Sequence, residues 1–267
     1  MCAKLIVEGV GRKSEEKYFL ETYKSFFDSL EELLRVANLI YDQEPTLKIE
    51  ADKAIYFLGR CCLEDFNEIL LLATHGYGIG ALKILRGMFE RVVDCAYLNK
   101  NPAEATAYLH FSWVNRKKSL DHLRLAGSSF LPEKAIIDEI MQKYEEAKTY
   151  LYSKDKWCKH GLIERAKVAD LDKLYMLASF IPTMHIHSNP LAFETRMTAI
   201  GEDVSFDAGA RRLEAKHAIS QAHLLLITIL DHVQDHFIMR FEEKIKAINK
   251  TFMSVWIEKE EKTDDAQ

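Results

Sequence analysis

The sequence predicts an all-α protein, a single irregular bundle of about seven helices spanning 1–257. Three observations carry that expectation. Apolar residues recur at steps of three and four along most of the chain, the spacing of an amphipathic helix. Glycine and proline are scarce, 11 and five in 267 residues, whereas a β-sandwich needs turn residues every few positions. Apolar residues make up 48% of the chain, enough for a large core rather than disorder.

The elements follow in order. Lys4–Val10 is the one stretch with strand character. A first helix starts near Ser14, a natural cap, and carries Phe19, Tyr23, Phe26, Leu30, Leu33, Ala37 and Ile40 on one stripe. Glu44–Thr46 breaks it. A second helix runs from about Thr46 to Thr74 and ends at "HGYGIG", His75 to Gly80. The third, from about Ile79 to Asn99, has an unusually wide apolar arc: Leu82, Ile84, Leu85, Met88, Phe89, Val92, Val93 and Ala96. Lys83, Arg86, Gly87, Glu90 and Asp94 take the other half. An arc that wide predicts packing by more than one neighbour. Asn101 and Pro102 open a fourth helix, to about Leu125. Pro132 opens a fifth. Short helices and turns are expected around Trp157, and a further helix from Asp170 or Leu171 through "LYMLASFI". "PTMHIHSNP", Pro182 to Pro190, reads as a stiff loop, followed by a polar loop, "ETRMTAIGEDVSFD". A last helix starts near Asp207 and reaches Trp256 with a kink or break. Residues 258–267 read as a charged, disordered tail.

Bulk chemistry excludes several classes. The net charge of −5 gives no global attraction to nucleic acid or anionic membrane. Five cysteines, an odd number with no C-x-x-C, argue against a disulfide framework or zinc knuckle. Cys61, Cys62 and Cys95 read as small core residues. No apolar run is long enough for a signal peptide or a bilayer span, so a cytoplasmic protein with no membrane attachment is expected. There is no P-loop, G-x-G-x-x-G, G-x-S-x-G or H-E-x-x-H, and no cofactor or metal is expected.

Two blocks resemble a known family. "GALKILRGMFERVVDCAYLNKNPAEATAY", Gly80 to Tyr108, is similar to the helical family catalogued as domain of unknown function 5677, whose pattern pairs an Arg with a Glu four residues on. Arg86 and Glu90 match that pair. Trp157 to Pro190 looks like the family's second block, with Trp157, Arg165, Ala166, Leu171 and Tyr175 in order. His187 matches the family's His, because Ser188, Asn189 and Pro190 follow it. The resemblance covers about 46–190. It implies an all-helical fold without an established activity, mostly bacterial, often near mobile-element or phage-defence genes.

From these residues the expected site is one that binds an anionic ligand or a protein partner. Arg86 would hold a phosphate or carboxylate and Glu90 would orient it. His187 would line the same site, with Trp157, Arg165 and Tyr175 beside it. The competing reading of Arg86 and Glu90 is an ordinary ion pair. If Pro182–Pro190 is extended, its two imidazoles point to opposite sides, which makes His187 the candidate and His185 the bystander.

Other constellations carry less. Glu214-x-x-His217 is the unit that di-iron bundles use twice, and it occurs once. His232 and His236 stand four apart without an adjacent Glu. Arg116–Lys117–Lys118, after Phe111 and Trp113, is a short basic run that spreads around a helix. The alternative function is a metal-independent endoribonuclease of HEPN type, acting as a homodimer. Its Arg-x(4–6)-His motif fits Arg116–His122 and, at a predicted helix N-terminus, Arg211 or Arg212 with His217.

Overall fold

The computed structural model describes residues 12–187, 190, 194, 196–200, 203–207 and 209–256. Lys4–Val10 and the charged tail lie outside the described residues. The fold is all-α. Ten α-helices are described, more than the seven expected, because long periodic stretches divide. The first predicted helix becomes α1 (Lys13–Thr22) and α2 (Lys24–Tyr41), separated at Tyr23. Arg12, not Ser14, occupies the N-cap. The last becomes α9 (Arg212–His236) and α10 (Glu242–Trp256), and Ile238 and Arg240 in the turn between them have positive φ. α3 (Glu50–Thr74) and α4 (Gly78–Lys100) come between, then α5 (Ala105–Ala126), α6 (Lys134–Ala147) and α7 (Leu162–Val168).

Where a polar loop was expected, Met197–Ile200 (β1) pairs antiparallel with Asp203–Phe206 (β2). Where a stiff loop was expected, Ile181–Ile186 is helical (α8) and follows a π-helical turn, Met176–Phe180. Pro182 explains both features. It has no N–H, and its ring crowds the carbonyl four residues back, so the turn before it widens to an i→i+5 pattern. Ile181 accordingly donates to the Met176 carbonyl.

α3, α4 and α9 form the central layer, with α7, α8 and the π turn packed on the far side of α4. This is why α4 carries so wide an apolar arc. Leu85, Met88, Phe89, Val92 and Val93 are all fully buried, and each large one is worth about 1.5–3 kcal/mol over exposure. α5 and α6 form a hairpin at one edge. Cys62 and Cys95 lie in the core as expected, but Cys61 is exposed, because it sits on the outer face of α3. No helix among the described residues is long and apolar enough to cross a membrane.

α10 is latched to α9 by one hydrogen bond: the Trp256 indole Nε1 donates to His223 Nδ1 at 3.1 Å. His223 is buried, with Phe26 and Phe252 edge-on to its ring. Burial pushes its imidazole down to about 4. Unfolded histidine titrates near ~6.5, so the stability from keeping it neutral is complete above that pH. It is lost as pH falls from ~6.5 towards 4, when the proton on Nδ1 displaces the indole. At ~1.4 kcal/mol per pH unit, this amounts to about 2–3 kcal/mol. Urea unfolding at pH 7 and pH 4.5 is expected to show that drop, and His223→Gln is expected to remove it.

Candidate functional site

α4 presents a polar stripe at steps of three and four: Lys83, Arg86, Glu90 and Asp94. Arg86 and Glu90 form an ion pair at 2.7 Å, each about one-third exposed. The Arg86 Nε is shielded from solvent and has no hydrogen-bond partner among the described residues.

Two turns further along, Asp94 receives Arg165 of α7 at 2.8 Å. Arg165 also donates to the His160 carbonyl at 2.8 Å and lies over the Trp157 ring at 5.0 Å. Trp157 in turn packs edge-on against Tyr97 and Tyr108. Burial raises the Asp94 carboxyl to about 6, with Arg165 opposing the rise. Arg165 and Trp157 thus enclose a buried carboxylate that the sequence reading had left unassigned. Tyr175 packs against the core residue Phe89.

Of the six expected site residues, Arg86 meets Glu90 and Arg165 meets Trp157. No hydrogen bond, ion pair or ring contact among the described residues joins Arg86 to His187, Trp157 or Arg165. His187 follows the end of α8 and is exposed, and Ser188 and Asn189 lie outside the described residues. Because Ile181–Ile186 is helical, the alternation expected of an extended segment does not apply. His185 is the histidine turned inwards: its Nδ1 is shielded without a partner. Burial lowers its imidazole, Glu214 opposes that, and Arg196, Arg211 and Lys83 add to it.

Those cations mark a second place, at the beginning of α4. Three helix N-termini converge on the "HGYGIG" turn. Gly76, at φ +83°, sits against Arg12 and Glu15 of α1 and Ala210 before α9. Gly78 lets the first turn of α4 touch the backbone of Arg211 and Ala215. The Arg211 N–H donates to the Gly76 carbonyl at 3.1 Å. Between these ends lies a cavity of about 360 Å³, lined by Arg12, Lys83, Arg196 and Arg211, by Leu72, Tyr77 and Ile79, and by three glycines.

Arg211 is bound by Glu214 at 2.5 Å and Asp207 at 3.4 Å. Lys83 is exposed and makes no ion pair among the described residues. Arg196 lies over the Phe206 ring at 5.5 Å. Four cations thus line one cavity, with Asp207 and Glu214 beside Arg211 and the Glu15 carboxyl held low by its bond to Arg212 and in part by the charge of Arg12. Free N–H groups and dipoles at the helix ends add to the positive potential.

The remaining candidates have structural partners. Arg212 is held bidentately by Glu15 at 2.8 and 3.0 Å and lies over Tyr18 at 3.8 Å. His217 Nε2 meets the Leu177 carbonyl at 2.8 Å. Pro182 has no N–H to offer that carbonyl, so the imidazole serves as its substitute donor. Five residues apart on a helix, the two side chains project about 140° apart at 100° per residue. His236 bridges Asp52 at 2.9 Å and Asn99 at 3.1 Å. Arg116 lies over Trp113 at 4.3 Å, Lys117 pairs with Asp121 at 2.5 Å, and Lys118 pairs with Asp155 at 3.0 Å. No group of three or more His, Cys, Asp or Glu among the described residues is placed to hold a metal.

Residues 52–204 match the profile described as "Family of unknown function (DUF5677)". The chain belongs to this family. No curated protein and no solved structure matches it. The DUF5677 match spans α3 through β2 and includes Arg86, Glu90, Trp157, Arg165, Tyr175 and His187. It also includes Gly76, Tyr77, Lys83 and Arg196, whereas Arg12 and Arg211 lie outside it. The cationic cavity thus lies where the DUF5677 segment meets its flanking helices.

Proposed function

We propose that this protein is a helical module that binds a small anionic ligand in the cavity at the start of α4. The observation that carries the reading is an open cavity of about 360 Å³ lined by four cationic side chains, of which Lys83 is exposed and in no ion pair among the described residues. Clustered cations raise the local positive potential and attract an anion, and charge-assisted hydrogen bonds from guanidinium and ammonium groups supply both strength and orientation. Arg86 stands one turn from Lys83 and extends the positive rim; Glu90 orients it. His185 stands within reach of the same charges and provides a proton-linked adjustment of the potential.

The ribonuclease alternative needs Arg212 and His217 free to engage a phosphodiester. Their bonds to Glu15 and the Leu177 carbonyl give that alternative no support.

A ligand that binds only the folded state raises stability by about 2.7 kcal/mol at a hundred times its Kd. Pyrophosphate is therefore expected to raise the thermal unfolding midpoint of the wild-type chain. The Lys83→Ala/Arg196→Ala double variant is expected to lose the rise, while Lys118→Ala, on α5, keeps it. Equal responses from wild type and the double variant would place the anion elsewhere.

A further inference from the structure

We propose that two copies of this chain dock through their α5–α6 hairpins, each inserting Phe130 into a groove of the other. The proposal is independent of the anion site.

The pattern of α6 calls for more neighbours than one chain supplies. Ile136, Ile137, Ile140, Met141, Tyr144 and Ala147 recur at steps of three and four over about 140° of its circumference. α4 has a wide arc of this kind and is packed from several sides, whereas α6 packs chiefly on α5. That one neighbour buries Tyr144 and Ala147 but leaves Ile136 exposed. The turn between the helices stands clear of the body: Gly127, at φ +126°, would have nothing within 4 Å of an added Cβ. Two such hairpins bury their uncovered flanks by closing into four helices.

The hairpin carries both halves of a contact. The projecting half is Phe130, 63% exposed at the turn, with Leu125 at 85%. The receiving half is a groove of about 290 Å³ between α5 and α6, whose apolar walls are Leu120, Leu123, Pro132 and Ile140. A cavity of ~150 Å³ suffices to bind benzene, so a phenyl ring fits. Charge repeats the arrangement. Arg116 also lines the groove, lies over Trp113 and makes no ion pair among the described residues. Asp138 and Glu139, exposed just before Ile140 on α6, make none there either. Their neighbours are already paired, Lys117 with Asp121 and Lys143 with Glu146. Knob and hole, cation and anion thus occur together on one hairpin. That self-complementarity is what a two-fold interface requires, and it selects a second copy over an unrelated protein. An aromatic anchor in a pocket is the usual energetic centre of such a contact.

Sedimentation velocity of the full chain across the micromolar range tests the pairing. Wild type is expected to pass from a species of 30.8 kDa to twice that mass as concentration rises. Phe130→Glu is expected to weaken the association about thirtyfold, the loss of one aromatic anchor. Phe57→Glu, at a comparably exposed phenylalanine on α3, is expected to leave it unchanged. Arg116→Glu is expected to weaken it about tenfold by setting like charges together. Adding Asp138→Lys and Glu139→Lys to that variant is expected to recover most of the loss. All these side chains are exposed, and circular dichroism checks that each variant is folded. A wild-type monomer at every concentration, or a dimer that Phe130→Glu leaves as tight as before, would overturn the proposal. Failure of the reversed charges to restore binding would overturn the two-fold arrangement.

Discussion

Gly78→Ala is expected to be among the most damaging single substitutions in this chain. A Cβ at that position would sit 2.3 Å from the Arg211 carbonyl oxygen and 2.5 Å from the Ala215 nitrogen. Both are backbone atoms, so no change of rotamer relieves the clash. The start of α4 must move away from the start of α9, and the bond from Arg211 N–H to the Gly76 carbonyl is strained with it. Overpacking typically costs ~1–3 kcal/mol, and a backbone clash belongs at or above the upper end. At ~2–4 °C per kcal/mol for a chain of this size, the melting midpoint is expected to fall by about 6–12 °C. Anion binding is expected to fall too, because the same movement opens the cavity. Gly80→Ala is the control. Its nearest new contact would be a Leu72 methyl at 3.5 Å, an ordinary distance, so no loss is expected, and a gain of about 0.5–1 kcal/mol is the usual helix effect. If the two variants melt together, the close approach of α4 and α9 is not as described.

Arg165→Ala is expected to cost about 3–5 kcal/mol, the usual penalty for leaving one member of a buried ion pair without its partner. Both side chains of the Arg165–Asp94 pair are 13% exposed, too enclosed for water to replace the guanidinium. The pH dependence distinguishes this from simple loss of packing. Burial already raises the Asp94 carboxyl to about 6 while Arg165 opposes it. Without Arg165 the group rises further. A carboxyl raised in the folded state contributes stability that is present below its unfolded value of ~3.9 and lost as pH climbs through its folded value. The variant's deficit relative to wild type is therefore expected to be largest at neutral pH and to shrink as pH falls through about 6. Arg165→Ala/Asp94→Asn, which removes the stranded charge, is expected to recover much of the loss. Urea midpoints at pH 7 and pH 5 measure all three. A deficit under about 1 kcal/mol, flat with pH, would mark the pair as solvent-screened.

Local pattern made much of the fold legible. The all-α class, the wide buried arc of α4, the break at "HGYGIG" and the interruption of the last helix all follow from periodicity and turn residues. What escaped depends on contacts distant in sequence. Asp94 stood in the polar half of α4, but its partner is 71 residues away and nothing local announces the pair. The cavity joins Arg12, Gly76, Lys83, Arg196 and Arg211, whose proximity arises only from the meeting of three helix ends. The histidine segment was misjudged for a different reason. Pro182 reads as a helix breaker, yet it lies in the first turn of α8, where a missing N–H is tolerated. The segment therefore has helical period, and His185 rather than His187 is the inward residue.

The most direct test of the central claim is a phosphorus NMR titration of pyrophosphate against the wild-type chain and the Lys83→Ala/Arg196→Ala variant. At ~1.5–3 kcal/mol for each charge-assisted hydrogen bond, removal of the two cations is expected to weaken binding by at least a hundredfold. The predicted result is saturable broadening of the pyrophosphate signal with wild type and none with the variant, at a concentration where both chains are folded by circular dichroism. Equal broadening with both, or none with either, would contradict an anion site at the start of α4.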